Sequence, residues 1–190
     1  APLKKLRAIA GTYPNYIQIV ASKESGISTL ADLKGTRISV GAPKSGTELN
    51  ARAIFAAAGL SYEDMGKVEF LPYAESVELI KNRQLDATLQ SSGLGMAAIR
   101  DLAATLPITF VAVPAEVTAK IGNDAYQAAA IPAGTYDGQD ADVPTVAITN
   151  ILVSHDGVSE DVAYQMTKLM FENLERLGNA HSAAKDIKLE

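Results

Sequence analysis

The chain has 190 residues, with 17 Lys and Arg against 22 Asp and Glu and a formal net charge of −5. No basic block stands out, which argues against a nucleic-acid partner. Cysteine and tryptophan are absent, so disulfides, thiolate metal sites and cysteine nucleophiles are excluded, and no run of about 18 apolar residues exists to cross a membrane.

Hydrophobic residues make up 47% of the chain, enough to bury a core in one domain or two small lobes. Leu6 to Ala10 and Tyr16 to Ala21 are short apolar runs with β-branched members and predict two strands. Between them Gly11-Thr12-Tyr13-Pro14-Asn15 predicts a turn carrying an aromatic. Ser28 or Thr29 can cap a helical turn through Leu33, with Gly35 suited to its left-handed exit. Arg37 to Val40 is a strand, and a helix from Gly46 to Ala58 stops at Gly59.

Val68 to Leu71 predicts the next strand, followed by a helix from about Ala74 to Arg83. Leu85 to Gln90 is a strand ending in the polar turn Ser91-Ser92-Gly93, and a helix then covers about Leu94 to Thr105. Ile108 to Val113 is a strand and Ala115 to about Ile121 a helix. Ile131 to Asp140 is a polar, glycine-rich loop containing Tyr136. Thr145 to Ser154 is a long strand, and a helix from about Glu160 to Leu177 closes the pattern. Strands alternating with helices at this spacing predict an α/β fold with a mainly parallel sheet, which binds ligands at the carboxyl ends of its strands.

Two turns fall at such ends. In the first, strand Ile38-Ser39-Val40 runs through Gly41-Ala42-Pro43-Lys44 into Ser45-Gly46-Thr47-Glu48, where Ser45 and Thr47 are preferred residues at a helix start. The first-turn amides of a helix have no internal partners and carry the positive end of its dipole, so this turn suits a carboxylate or phosphate. It is not a P-loop, because Lys44 precedes the glycine. In the second turn, Gln90, Ser91 and Ser92 offer further polar contacts.

Other chemistry is sparse. The two histidines, His155 and His181, have no Gly-x-Ser-x-Gly nucleophile context and no metal-binding partner spacing. Asp137 to Asp142 lacks the spacing and closing glutamate of a calcium loop. Glu48 and Asp86 are the only carboxylates near the strand ends. Neither has an obvious partner for acid–base work, and Asp86 is expected to make a structural hydrogen bond. No cofactor and no metal is expected.

Taken in series, several stretches resemble the TAXI family of solute-binding proteins, the substrate receptors of TRAP transporters. These are Leu6-Arg7-Ala8-Ile9-Ala10 with Tyr13-Pro14-Asn15-Tyr16, Ser25-Gly26-Ile27 with Asp32-Leu33-Lys34-Gly35, Val40-Gly41-Ala42-Pro43 with Ser45-Gly46-Thr47-Glu48, and Gln84-Leu85-Asp86-Ala87. The second half adds Ile131-Pro132-Ala133-Gly134-Thr135-Tyr136, Gln139-Asp140, Asp142-Val143-Pro144-Thr145 and Phe171-Glu172-Asn173-Leu174.

The resemblance implies a type II periplasmic-binding-protein fold, two α/β lobes closing over a small ligand. It places a complete lobe two at residues 24–142, and the interlobe crossings with part of lobe one at 1–23 and 143–190. It also implies a periplasmic or extracytoplasmic receptor, not an enzyme, that hands glutamate, glutamine or a related dicarboxylate to TRAP membrane subunits.

The expected ligand-binding residues are Ser45, Gly46, Thr47, Glu48, Gln90, Ser91 and Ser92, with Tyr13, Asn15, Tyr16 and Tyr136 as walls. Members of that family are longer, so this chain resembles an excerpt without a signal peptide and without the start of lobe one. An incomplete lobe is expected to leave apolar strand faces uncovered and to favour pairing with another chain. An enzyme on the same scaffold, acting on a small organic anion, is the alternative, and a purely structural surface protein a third reading.

Overall fold

The computed structural model describes residues 3–188 and is a mixed α/β fold. Its chain divides into two compact units, one of Tyr16–Ile148 and one of the residues up to Asn15 with those from Thr149 onward.

The larger unit is built on strands β1 (Leu6–Ser22, shared with the other unit), β2 (Arg37–Ser39), β3 (Lys67–Glu69), β4 (Ala87–Ser92) and β5 (Ile108–Val111). β2 pairs in parallel with both β3 and β4, while β1 pairs antiparallel with both β4 and β5. β2, β3, β4 and β5 therefore run the same way and only β1 opposes them, in the spatial order β3-β2-β4-β1-β5. β6 (Gln127–Ile131) pairs antiparallel with β7 (Val143–His155), which neighbours β1.

Helices α1 (Gly46–Ala57), α2 (Tyr73–Lys81), α3 (Ala97–Thr105) and α4 (Ala115–Lys120) connect the strands. Alternation along β4 and β1 splits the core in two. Ile17, Ile19, Ile38, Val40 and Leu89 pack with Ala51, Ile54 and Phe55 of α1. On the opposite face Val20 packs with Val77 and Ile80 of α2 and Ile99 and Leu102 of α3. Helices on both faces are what a sheet of parallel crossovers requires.

Local chemistry explains most element ends. The turn through Leu33 carries no side-chain cap from Ser28 or Thr29, and Asp32, within it, reaches back to both. Its carboxylate accepts from the amides and hydroxyls of Ser28 and Thr29, which holds its pKa down at about 2. α1 exits through Gly59, where the Leu60 amide reaches back to the Phe55 carbonyl at 2.8 Å. Asp86 makes the structural contact expected of it. It accepts from the Arg37 amide at 2.8 Å and from the Arg37 guanidinium through both oxygens, and the guanidinium holds its carboxyl below the usual range.

Three expected elements differ. The turn expected at Gly11 to Asn15 is instead the middle of one 17-residue strand, β1. There Asn150 Nδ2 donates to the Tyr13 carbonyl and Thr12 Oγ1 to the Asn150 carbonyl, so partners on β7 hold an extended path against the Gly and Pro turn preference. Residues 127–131, alanine-rich and unassigned to any element in sequence, form β6. The closing helix breaks at Asn173 (φ −121°) into α5 (Glu160–Glu172) and α6 (Leu174–Ala180). Asn173 Nδ2 donates to the Leu169 carbonyl, a side-chain bond that competes with the helix ladder.

In the smaller unit Ser159 caps α5 by accepting from the Val162 amide. α5 buries no residue, and Val162, Met166 and Leu169 share one exposed stripe, while Ile151 and Val153 are exposed on β7. Among the described residues no helix is long and apolar enough to cross a membrane.

Candidate functional site

α1 links β2 to β3 on one face, and α2 links β3 to β4 on the other. The chain thus changes face between β2 and β4, and the crevice outside the carboxyl ends of those strands is where such sheets bind ligands. The residues that meet there come from the turn 41–47, the start of α2 and the end of β4.

The turn is built for close approach. Gly41 has φ +90°, and a Cβ on it would lie 2.7 Å from both Cβ and Cγ2 of Thr47. Only glycine lets the backbone pass Thr47 this closely. Lys44 follows in the left-handed region (φ 60°), and Ser45 caps α1 with its hydroxyl accepting from the Glu48 amide at 3.2 Å.

Thr47 and Ser91, each 8% exposed, are joined through Tyr73, the first residue of α2. The Tyr73 hydroxyl donates to the Ser91 carbonyl (2.8 Å), accepts from the Ser91 amide (3.1 Å) and lies 2.5 Å from Thr47 Oγ1. A phenol has one hydrogen, and here it goes to the Ser91 carbonyl, so Thr47 is the donor in the third bond. Ser91 Oγ accepts from Asn50 Nδ2 at 3.1 Å, and Asn50 Oδ1 accepts from the Tyr126 hydroxyl at 2.9 Å. Burial holds the Tyr126 phenol above its ordinary pKa, so it remains a donor at neutral pH.

This network leaves donors unspent. Among the described residues, the Gly46 and Thr47 amides at the start of α1 have no acceptor, and neither do the hydroxyl hydrogens of Ser45 and Ser91. No carboxylate neutralises them. Glu48, expected beside Thr47 as a ligand contact, is 5% exposed and turned inward, where it pairs with Arg52 and accepts from the Tyr62 hydroxyl at 3.2 Å. Arg52 lies over the Tyr62 ring at 4.6 Å, and burial with the Glu48 charge pushes the Tyr62 phenol up. The arrangement favours an anion with two or more acceptor oxygens.

The remaining expected residues are distributed more widely. Gln90 is fully buried on the α2–α3 face of β4, directly across from Gln18 of β1, and its amide has no hydrogen-bond partner among the described residues. Ser92 Oγ accepts from Gln18 Nε2 at 2.9 Å. Tyr136, expected as a wall, is 4% exposed and stacked on Phe110. Its hydroxyl donates to Gln18 Oε1 and accepts from the Met96 amide, so both functions are used inside the unit. Tyr16 lies opposite Ser92 in the β1–β4 register. Tyr13 and Asn15 belong to the smaller unit, where Tyr13 stacks on His181 at 5.9 Å.

The structure thus groups Ser45, Gly46, Thr47 and Ser91, and withdraws Glu48, Gln90 and Tyr136 into the interior. Tyr73, Asn50 and Tyr126 join the group although nothing in sequence marked them. Asn50 carried one usable signal, its position one helical turn after Thr47.

Solved structures of the same fold include three proteins. One is a putative sulfonate ABC transporter's periplasmic sulfonate-binding protein SsuA from Methylobacillus flagellatus KT, at 12% identity over 98% of this chain and 49% of that one, TM-score 0.54. A second is the alkanesulfonate-binding protein SsuA from Xanthomonas axonopodis pv. citri bound to MOPS, at 17% identity over 94% and 50%, TM-score 0.53. The third is protein AF1704 from Archaeoglobus fulgidus, at 15% identity over 95% and 55%, TM-score 0.52. At these identities the likeness is one of fold, and the chain spans about half the length of the structures it matches. The NMT1-like family matches residues 1–190, the whole of the chain, and the chain belongs to that family.

Proposed function

We propose that this chain is part of an extracytoplasmic solute receptor, a non-enzyme that binds a small carboxylate and delivers it to a membrane transporter. The transporter is of the TRAP type, the receptor belongs to the TAXI group, and the solute is glutamate, glutamine or a related dicarboxylate. One observation carries the reading. The crevice between β2 and β4 presents the unspent amides of Gly46 and Thr47 and the hydroxyls of Ser45 and Ser91, with no acid among them. Two of the matched proteins of this fold are described as sulfonate binders, which supports an anionic head group on this scaffold. Catalysis would need a free acid or base there, and Glu48 is committed to Arg52, while Asp86 lies at the opposite, amino end of β2 and β4, paired with Arg37.

The test is calorimetry on the wild-type protein with L-glutamate, L-glutamine, a C4 dicarboxylate and a short alkanesulfonate. The Ser45→Ala/Ser91→Ala double variant should bind the preferred carboxylate at least about tenfold more weakly, since hydrogen bonds to a charged group contribute roughly 1.5–3 kcal/mol each. Unchanged affinity in a folded variant overturns the placement of the carboxylate. Preference for the sulfonate overturns the solute class, and chemical conversion of any of these compounds overturns the receptor.

A further inference from the structure

The oxygen of Tyr73 fills the acceptor position between Thr47 and Ser91. It accepts from two donors that are nine-tenths buried, Thr47 Oγ1 and the Ser91 amide, and it returns its own hydrogen to the Ser91 carbonyl. β2 ends at Ser39, so no strand covers this edge of β4 at Ser91, and the phenol takes the place of the missing partner. The ring behind that oxygen is held much less firmly. Tyr73 belongs to neither core cluster and stacks on no aromatic ring among the described residues. It is half-buried, and it opens α2 after Pro72, a helix start with no side-chain cap. A single χ1 rotation would carry the hydroxyl out of the crevice without unpacking the core.

We propose that Tyr73 is an internal competitor, whose hydroxyl occupies the position of a solute oxygen and is displaced by it, so that this residue sets the affinity of the site. This rests on the receptor reading above. A displacing solute oxygen takes over the two bonds the phenol accepts, but, carrying no hydrogen, not the one it donates to the Ser91 carbonyl, and only the surplus appears as affinity. Removing the hydroxyl leaves the Thr47 and Ser91 donors in place and unpaired and gives up the bond to the Ser91 carbonyl in advance, so the solute no longer has to break any of the three. A tyrosine that merely positions Thr47 and Ser91 would behave in the opposite way, and its loss would weaken binding.

The experiment compares wild type with Tyr73→Phe by calorimetry, using L-glutamate, L-glutamine, a C4 dicarboxylate and an alkanesulfonate as probes, with circular dichroism to confirm that the variant folds. Tighter binding by the phenylalanine variant, about three- to tenfold, is expected, and so is binding by the variant of a probe the wild type fails to hold. Equal or weaker binding by the variant, with the wild type binding, overturns the competitor role and leaves the receptor reading standing. No binding of any probe by either protein overturns both. Should Tyr73→Phe not fold, a crystal structure of the wild type with its bound probe decides. A Tyr73 hydroxyl moved out of hydrogen-bond reach of Ser91 supports displacement, and an unmoved one refutes it.

Discussion

Replacing Gly41 by alanine tests the packing of the turn against α1. The new Cβ would lie 2.7 Å from two carbons of Thr47, closer than side-chain carbons approach one another, at a residue with φ +90°. The backbone conformation alone costs an L-residue roughly 1–2 kcal/mol, and forcing a methyl against a packed neighbour adds about 1–3 kcal/mol. Gly134→Ala is the matched control. That glycine also has positive φ (75°), but nothing lies within 4 Å of its added Cβ, so it carries only the backbone cost. Urea denaturation followed by far-UV circular dichroism should show Gly41→Ala less stable than Gly134→Ala by about 1–3 kcal/mol, the contribution of the contact. Relief of that contact would push Thr47 off the crevice, so carboxylate affinity should fall in the first variant and not in the second. Equal destabilisation of the two variants would refute the close approach of turn and helix on which the site depends.

Two further substitutions separate structural carboxylates from the site. Glu48→Gln keeps the shape but loses the charge paired with Arg52, and should cost about 1–3 kcal/mol in thermal or urea unfolding while leaving carboxylate affinity within about twofold. A large loss of affinity would return Glu48 to the binding surface. Asp86 has its folded-state pKa depressed by Arg37, so its contribution is fully present above the unfolded-state value of about 4 and is lost as pH falls through the folded value. Asp86→Asn should therefore destabilise the protein at pH 7, by roughly 1–3 kcal/mol, and flatten the acid limb of its stability profile below about pH 4. An acid limb identical to that of the wild type would refute the pairing.

What was legible in the sequence is what neighbours in the chain decide. The strand–turn–helix at 38–48 declares itself through Gly41, Pro43, Ser45 and Thr47, and the structure places α1 at Gly46–Ala57 with Ser45 as its cap. The alternation of strands and helices from residue 37 to 120 likewise follows local pattern.

What was not legible depends on distant partners. Gly11 to Asn15 has every local mark of a turn, and its neighbour β7, with Asn150 more than 130 positions further along the chain, keeps it extended. Tyr73 reads as an ordinary residue after a proline, and its role appears only when Thr47 and Ser91, 26 and 18 residues away, arrive at one oxygen. Gln90 and Ser91 are adjacent and equally polar, yet strand alternation sends one into the α2–α3 face and the other to the crevice. Tyr136 has the local look of a loop aromatic, and what holds it inside, Phe110 and Gln18, lies 26 and 118 residues earlier.

The division of the chain has a bearing on the order of assembly. The larger unit is one continuous stretch, Tyr16–Ile148, whereas the smaller draws on both ends of the described chain. Joining those ends first would mean closing a flexible loop of roughly 130 residues, an entropic cost of about 4 kcal/mol before any contact of the small unit repaid it. Once the large unit has folded, β1 and β7 are already sheet neighbours and that closure is complete. The crevice between β2 and β4 draws on the continuous unit alone, so it can be finished before the two segments of the smaller unit are ordered, the sequence of events in which that loop closure costs least.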